Sequence, residues 1–446
     1  MKSDTKRQTA AWIIAAIILT SFCLRAPITG VGSIIGMIKA ELMLSNSGAG
    51  MLTTIPLLVF AALSVLVGKI AGGMGTGRCM LTSMIILCVG IAARSLLGSG
   101  GLYVGTVLIG TGIAAGNVLI PGIVKAYFPE KVGLLTGIYA TIMSGMGGVS
   151  TGISVPIALR FGWKTALLIW LVLACAAALT WIPNRGCTTE TKGGERRDDD
   201  RADSGDENFA DDRADSGSKN SADDRTDSGS KKLAERHTGN MAASGVERFP
   251  GKRKSVASSP MAWAIVFYFG IQSFVFYCFI AWLPTIMQAK GFSLDTSGFF
   301  TSLFILIGIP ATFIVPIISE REGDECVINV VTGLLFTVGM ALILISSDPV
   351  VLTIANICAG LGVGACFSQS MALFGLRTKD ARDASSLSGL SQSIGYLFAA
   401  IGHACTGWIC DVTGSWTVPL IGMTLLAAAE TVLGYIVGKE KIINEK

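Results

Sequence analysis

Twelve apolar runs, each long enough to cross a lipid bilayer, constrain this chain more than any motif in it. A spanning helix needs about 20 mainly apolar residues. Such runs cover residues 11–38, 48–71, 79–98, 101–125, 133–158, 163–183, 261–287, 297–319, 326–346, 350–375, 384–409 and 416–438. They fall as six, a polar gap, and six. Inside hydrocarbon only helices and closed barrels satisfy every backbone group, and runs of this length read as helices. Composition agrees: 51% of the 446 residues are hydrophobic and 15% charged, against about 25% charged in soluble domains. Nearly half of the charge lies between Arg185 and Lys254, with 15 basic and 16 acidic residues, so the remainder reads as membrane. A net charge of +4 is too even to point to nucleic acid. Lys2, Lys6 and Arg7 precede an apolar run longer than a signal peptide's and without a clear cleavage site, so that run is read as the first transmembrane helix.

Orientation follows from Lys and Arg. With the N-terminus cytoplasmic, the inside segments hold 29 basic residues and the outside loops four, Lys39, Arg160, Lys164 and Lys290. Without the long central segment the balance is still 14 against four. The expectation is a multi-pass protein of the cell membrane with both termini cytoplasmic.

Three regions follow: an N-terminal six-helix bundle (1–183), a disordered cytoplasmic linker (184–259) and a C-terminal six-helix bundle (260–446). The linker repeats every 12 residues, from Asp199 to Gly205, Asp211 to Gly217 and Asp223 to Gly229. Repeats so short and so poor in apolar residues cannot bury enough surface to fold. An Asp-rich calcium loop is the sharper alternative, but the closing Glu of an EF-hand is missing and the register is not that of a β-roll. The halves echo each other: Ser45 and Gly50 with Ser293 and Gly298 at an offset of 248, Gly110-Thr111-Gly112 with Gly360-Leu361-Gly362 at 250, and Leu135-Thr136-Gly137 with Leu387-Ser388-Gly389 at 252. An even number of helices in each half makes this a parallel repeat about an axis along the membrane normal. The expected fold is an all-α membrane protein, twelve transmembrane helices in two pseudo-symmetric six-helix bundles.

Arg25 is the most informative residue. It lies about 14 residues into the first run, roughly 20 Å deep at 1.5 Å per residue and near the middle of a ~30 Å core. A lipid-facing guanidinium there costs at least a few kcal/mol, so it must face the bundle or a water-filled cavity. It is either a planar, permanently charged fork for an anionic or strongly polar substrate, or a structural arginine capping carbonyls freed near Pro27. Arg94, a few residues from the end of its run, is expected to snorkel. No Asp or Glu lies inside the first six runs, and in the second half only Glu430 is clearly embedded. Glu430 and His403 are the candidates for proton coupling, each with a structural role as the alternative. Asn117, Tyr139, Gln272, Tyr277, Gln369, Gln392 and Tyr396 are embedded polar or aromatic residues that either line the interior as substrate contacts or bond between helices. Trp282-Leu283-Pro284 suits an interfacial anchor and a kink, and also a gate at the outer vestibule.

Enzyme and metal readings fail on geometry. Gly148-Val149-Ser150-Thr151-Gly152 matches a nucleophile-elbow string but sits within a helix. Ser391 and His403, twelve residues apart on one helix, are ~18 Å apart and form no dyad. The glycines from Gly72 to Gly77 lack the Lys-Ser/Thr of a P-loop. Eleven cysteines form no CxxC pair and read as packing residues. His237 and His403 are too few and too far apart for a metal site. No catalytic residue, cofactor or metal is expected.

Several strings resemble a known family. They are Leu24-Arg25 with Ile28-Thr29, Gly50-Met51-Leu52-Thr53-Thr54-Ile55-Pro56, Gly116-Asn117-Val118-Leu119-Ile120-Pro121, and Phe128-Pro129 with Gly133 and Thr136-Gly137-Ile138-Tyr139. Trp282-Leu283-Pro284, Gln392-Ser393-Ile394-Gly395-Tyr396 and Thr413-Gly414-Ser415-Trp416 extend the likeness through the second half. Together they resemble the cyanate and 2-nitroimidazole transporter branch of the major facilitator superfamily. The chain departs from that pattern in reading Leu24-Arg25-Ala26-Pro27, in lacking an Asp between Gly68 and Arg78, and in carrying His403 where the branch has a proline. The missing Asp removes the usual charge latch between bundles. The resemblance implies a monomeric secondary transporter, with no enzymatic activity, that moves a small anion or compact polar solute by alternating access, with or without protons. The alternatives are a drug or metabolite efflux pump of the same fold and a membrane sensor that binds without transport.

Overall fold

The computed structural model describes residues 2–188, 255–322, 325–439 and 443. The 12-residue repeats, and with them most of the expected linker, lie outside the described residues. Among the described residues the chain is helical without a strand, and twelve of its stretches are long and apolar enough to span a membrane. The first half comprises α1 (Lys2–Cys23), α2 (Ala26–Leu42), α3 (Asn46–Met74), α4 (Thr76–Leu96), α5 (Gly98–Tyr127), α6 (Val132–Phe161), α7 (Trp163–Leu168) and α8 (Trp170–Trp181). The second comprises α9 (Pro260–Ala289), α10 (Leu294–Glu322), α11 (Glu325–Ile345), α12 (Pro349–Leu376), α13 (Ala381–Thr413) and α14 (Thr417–Lys439). α1 with α2, and α7 with α8, each make one span.

Local chemistry sets the ends of these helices. Ser45 Oγ accepts from Gly48 N at 3.0 Å to start α3, and Asp348 Oδ1 accepts from Val350 N and Val351 N at 2.9 and 3.0 Å to start α12, as N-caps do. Gly75 and Gly162 close tight turns at φ 90° and 85°, a region that side chains rarely enter. The first span is interrupted at Leu24-Arg25, where Arg25 has φ −126° and ψ −37°. Pro27, in the first turn of α2, has no N–H to give to the preceding turn, so the break falls just before it. The single apolar run of the sequence thus becomes two helices with Arg25 at their junction.

Small residues let the helices approach, and they do so at equivalent places in both halves. A Cβ on Gly112 of α5 would lie 2.6 Å from Ser83 O of α4, and one on Gly362 of α12 would lie 2.5 Å from Phe336 N of α11. The halves also meet along equivalent seams. A Cβ on Gly137 of α6 would lie 2.6 Å from Phe313 O of α10, and one on Gly389 of α13 would lie 2.5 Å from Ser64 O of α3. Leu134 N, in the first turn of α6, donates to Glu320 Oε2 near the end of α10 at 3.3 Å. These contacts draw the halves together at the end where the odd-numbered spans begin. The architecture is two pseudo-symmetric six-helix halves, all-α throughout the described residues.

Candidate functional site

A small cavity opens where the interrupted first span faces α6, α9, α10 and α12. It leaves about 40 Å³ for the centres of water-sized molecules, room for about three waters or a compact solute. Arg25 and Ser144 line it from the first half, Gln272, Phe276, Phe304, Thr312 and Phe367 from the second. The Arg25 guanidinium carbon lies 5.1 Å from the Phe276 ring centroid and 5.0 Å from that of Phe367, distances at which a cation is drawn to an aromatic face. Among the described residues no carboxylate or hydrogen-bond acceptor pairs with this guanidinium, and Arg25 is the charged side chain of the wall.

Two of the remaining polar groups of the wall, Gln272 and Ser144, present donors. Gln272 Oε1 accepts from Ser273 Oγ at 3.3 Å, which leaves its amide N–H groups for the cavity. Thr312 Oγ1 donates to Gly308 O at 2.9 Å and Gly364 O at 3.1 Å. Its hydroxyl proton is spent on the tight crossing of α10 and α12. Ser144 keeps a hydroxyl with no intramolecular partner among the described residues. A wall of Arg25, amide and hydroxyl groups set in aromatic rings matches a solute that is planar and rich in acceptors.

The structure gathers some of the sequence-derived residues here and sends others elsewhere. Arg25 and Gln272 line the cavity. Tyr396 lies within electrostatic reach of Arg25, Tyr139 and Tyr277, and its ring packs against Tyr277 at 6.1 Å and Phe60 at 5.0 Å. Tyr396 of α13 therefore neighbours the guanidinium, and Tyr139 of α6 and Tyr277 of α9 neighbour Tyr396. The side chains of Gln392 and Gln369 bond between helices, and Asn117 takes part only through its backbone carbonyl. Gln392 Nε2 donates to Asn117 O at 2.9 Å across the two halves, and Gln369 Nε2 donates to Ser319 Oγ at 2.8 Å. His403 packs its ring 5.6 Å from Trp282, whose Nε1 donates to the His403 carbonyl at 3.3 Å. Glu430 is fully buried on α14, facing Cys366.

Arg94 corrects the sequence reading. Instead of snorkelling it is 1% exposed, and Nη1 donates to Pro27 O at 2.6 Å. The bare backbone of Gly105 on α5 abuts the Arg94 backbone and Cβ. α4 and α5 therefore close over the side chain, and the nearest polar atom is the carbonyl beside the break in the first span. Ser144, Thr312 and the glycines of the α10–α12 crossing were missed altogether. The one available signal was Gly147, a turn beyond Ser144, where a Cβ would lie 3.6 Å from Arg25 Cδ. In sequence that small-residue stretch reads only as packing.

The family model for the Major Facilitator Superfamily matches residues 17–403. The chain belongs to the major facilitator superfamily. Within the superfamily it is 31% identical over 434 residues to the 2-nitroimidazole transporter of Escherichia coli K12, covering 97% of this chain and 96% of that one. It is 35% identical over 431 residues to the uncharacterized transporter YycB of Bacillus subtilis 168, covering 96% and 93%. This major facilitator chain thus falls in the cyanate and nitroimidazole branch and is a transporter, not an enzyme. Its fold matches a crystal structure of the major facilitator transporter FucP in the outward conformation with a TM-score of 0.66, at 11% identity, covering 96% of this chain and 99% of that one.

Proposed function

We propose that the protein carries a compact, acceptor-rich anion or planar polar solute of the cyanate and nitroimidazole kind, and that it does so by alternating access. The observation that carries this reading is the Arg25 guanidinium on the cavity wall, with aromatic rings against it and no intramolecular anion among the described residues. Arg25 is half-buried, an unpaired cation partly withdrawn from water is costly, and a solute that supplies in-plane acceptors removes that cost while it is bound. Gln272 and Ser144 complete the donor set, and Tyr396, with Tyr139 and Tyr277 next to it, borders the guanidinium. In this reading the halves 1–183 and 260–446 rock about the cavity. The seam at Gly137 and Gly389 is the closed cytoplasmic gate, with both termini on that side of the cell membrane. Gln392 and the Asn117 carbonyl belong to that gate and part when it opens, whereas the Gln369 to Ser319 bond lies within the second half. The working unit is a monomer. Coupling to protons through Glu430 or His403 is compatible with this scheme, in which His403, packed on Trp282, belongs to the outer rim.

The test is ligand-dependent thermal stability of the purified protein with cyanate, nitrate, 2-nitroimidazole and aromatic carboxylates, on wild type and Arg25→Ala in parallel. A ligand that binds only the folded protein raises its stability by mass action. Removing a charge-assisted fork costs about 1.5–3 kcal/mol, or about 10- to 150-fold in Kd. The expected result is a wild-type shift that a folded Arg25→Ala loses. Equal shifts in both proteins would make Arg25 structural. A response only to bulky lipophilic cations would move the reading to an efflux pump, and binding without flux in liposomes to a sensor.

A further inference from the structure

The second half holds another polar centre, away from the cavity wall. Glu430 on α14, Asn329 on α11 and Tyr268 on α9 are each 0% exposed. Among the described residues neither Glu430 carboxyl oxygen, nor Asn329 Oδ1, nor the Tyr268 hydroxyl has a nitrogen or oxygen hydrogen-bond partner. Asn329 Nδ2 donates to Gly434 O at 3.0 Å. Gly434 follows Glu430 by one turn of α14, and a Cβ on it would lie 3.1 Å from Asn329 Cβ and 3.3 Å from the Tyr268 ring. Glu430 and Tyr268 both interact with the Cys366 thiol of α12, and Cys366 Sγ reaches Thr332 Oγ1 of α11 at 3.9 Å. Three helices thus bring unpartnered oxygens to one place inside hydrocarbon, and α12 adds the Cys366 thiol. Buried polar groups are almost always paired, and an unpaired one calls for a water or an ion. For a carboxylate the need is greater, because an isolated charge in such surroundings costs several kcal/mol. Arg377, which reaches the end of α14 from just past α12, is already taken by Glu325 at 2.7 Å and by Val437 O at 3.1 Å.

We infer that Glu430, Asn329 and Tyr268 form a binding site for one monovalent cation, sodium or a proton. A single carboxylate asks for a single positive charge, and oxygens of carboxyl, amide and hydroxyl type suit a hard cation. Among the described residues the titratable groups facing Glu430 are Tyr268 on α9 and Cys366 on α12. α11 contributes the neutral Asn329 and Thr332, and α13 contributes none. The site adjoins the solute cavity. Tyr268 is one turn from Gln272 on α9, and Cys366 precedes Phe367 on α12, both of them on the cavity wall. The cation's use as a coupling ion rests on the transporter reading given above, whereas its binding does not.

Cation binding is therefore measured without any solute. The full-length protein is melted in sodium chloride and in choline chloride of equal ionic strength, across a pH series, as wild type and as Glu430→Gln. The expected result is a saturable, sodium-specific rise in the wild-type Tm that Glu430→Gln loses, which assigns the site to sodium. A wild type indifferent to sodium, with a pH-dependent Tm that Glu430→Gln flattens, assigns it to a proton. If neither sodium nor pH separates the two proteins, the inference is wrong and the oxygens hold a water. Should Glu430→Gln fail to fold, Tyr268→Phe removes a single oxygen and is expected to weaken the response, and radiolabelled sodium binding by the wild type reads the sodium arm with no variant. A positive outcome here with no solute found in the cavity screen would leave the cation site standing while the solute reading fell.

Discussion

Two arginines embedded in apolar runs met different fates, and the difference shows what depth in a run can and cannot say. Arg25 was legible because nothing within a dozen residues could carry it to water, so an interior position was forced. Arg94 was not, since its distance from the helix end permits snorkelling and only packing against Gly105 and Pro27 O decides otherwise. Among the described residues its Nε and Nη2 have no partner, an arrangement that costs stability and holds the carbonyl next to Arg25. Replacing a buried charge with an apolar side chain of similar volume is often neutral or stabilising. Arg94→Met is therefore expected to melt within a few degrees of wild type or above it, while any solute that the proposed Arg25 site takes loses affinity because the break is no longer pinned. Arg94→Ala, which leaves a cavity as well, should lose about 2–5 kcal/mol. Tm and ligand shift on the same samples check both. An Arg94→Met protein that cannot fold, or that binds like wild type, would reduce Arg94 to a packing residue.

At the scale of elements, the repeated strings Leu135-Thr136-Gly137 and Leu387-Ser388-Gly389 were visible as an echo, but their use was not. Both glycines sit where one half's helix lies directly on a carbonyl of the other half, Phe313 O for Gly137 and Ser64 O for Gly389. Periodicity reports which residues are small; it does not report which neighbour needs them to be. The break in the first span was half legible: Pro27 announced a kink, but an apolar run continuous from 11 to 38 gave no sign of two helices. The latch that the missing Asp of the loop after α3 put in question is supplied from α10, where Glu320 accepts from Leu134 N. That amide lies in the first turn of α6 and has no partner within its own helix, and the helix dipole favours an anion there. A Cβ at Gly137 would press on Phe313 O, and overpacking of this kind costs about 1–3 kcal/mol. Gly137→Val should therefore part α6 from α10, and hydrogen exchange at Leu134 should quicken while amides in the middle of α5 stay protected. Unchanged exchange at Leu134, in a folded variant, would show that the seam does not depend on the glycine.

For the whole molecule, the arrangement of six spans, a gap and six spans was written in hydropathy. The division at 184–259 remains an expectation of composition. The halves hold each other through α3 with α13, α5 with α13, and α6 with α10, so the connecting stretch has only to join them. Loop-closure entropy grows slowly with length, about 0.6 kcal/mol per doubling, and shortening a flexible tether therefore changes stability little as long as it still spans the gap. Deleting 199–229, which removes all three repeats and leaves more than half of the linker, should keep Tm, the solute response and the sodium or pH response of Glu430 near their wild-type values. Intact Tm with a lost solute response would give the repeats a role in transport. A lost fold would mean that the linker packs against the halves instead of tethering them. A stronger form separates the chain within the repeats and expresses the two pieces together. If the glycine seams and the Gln392 to Asn117 bond carry assembly, the pieces co-purify and bind solute, because the contacts that define the cavity lie in the halves and none requires a covalent link between them.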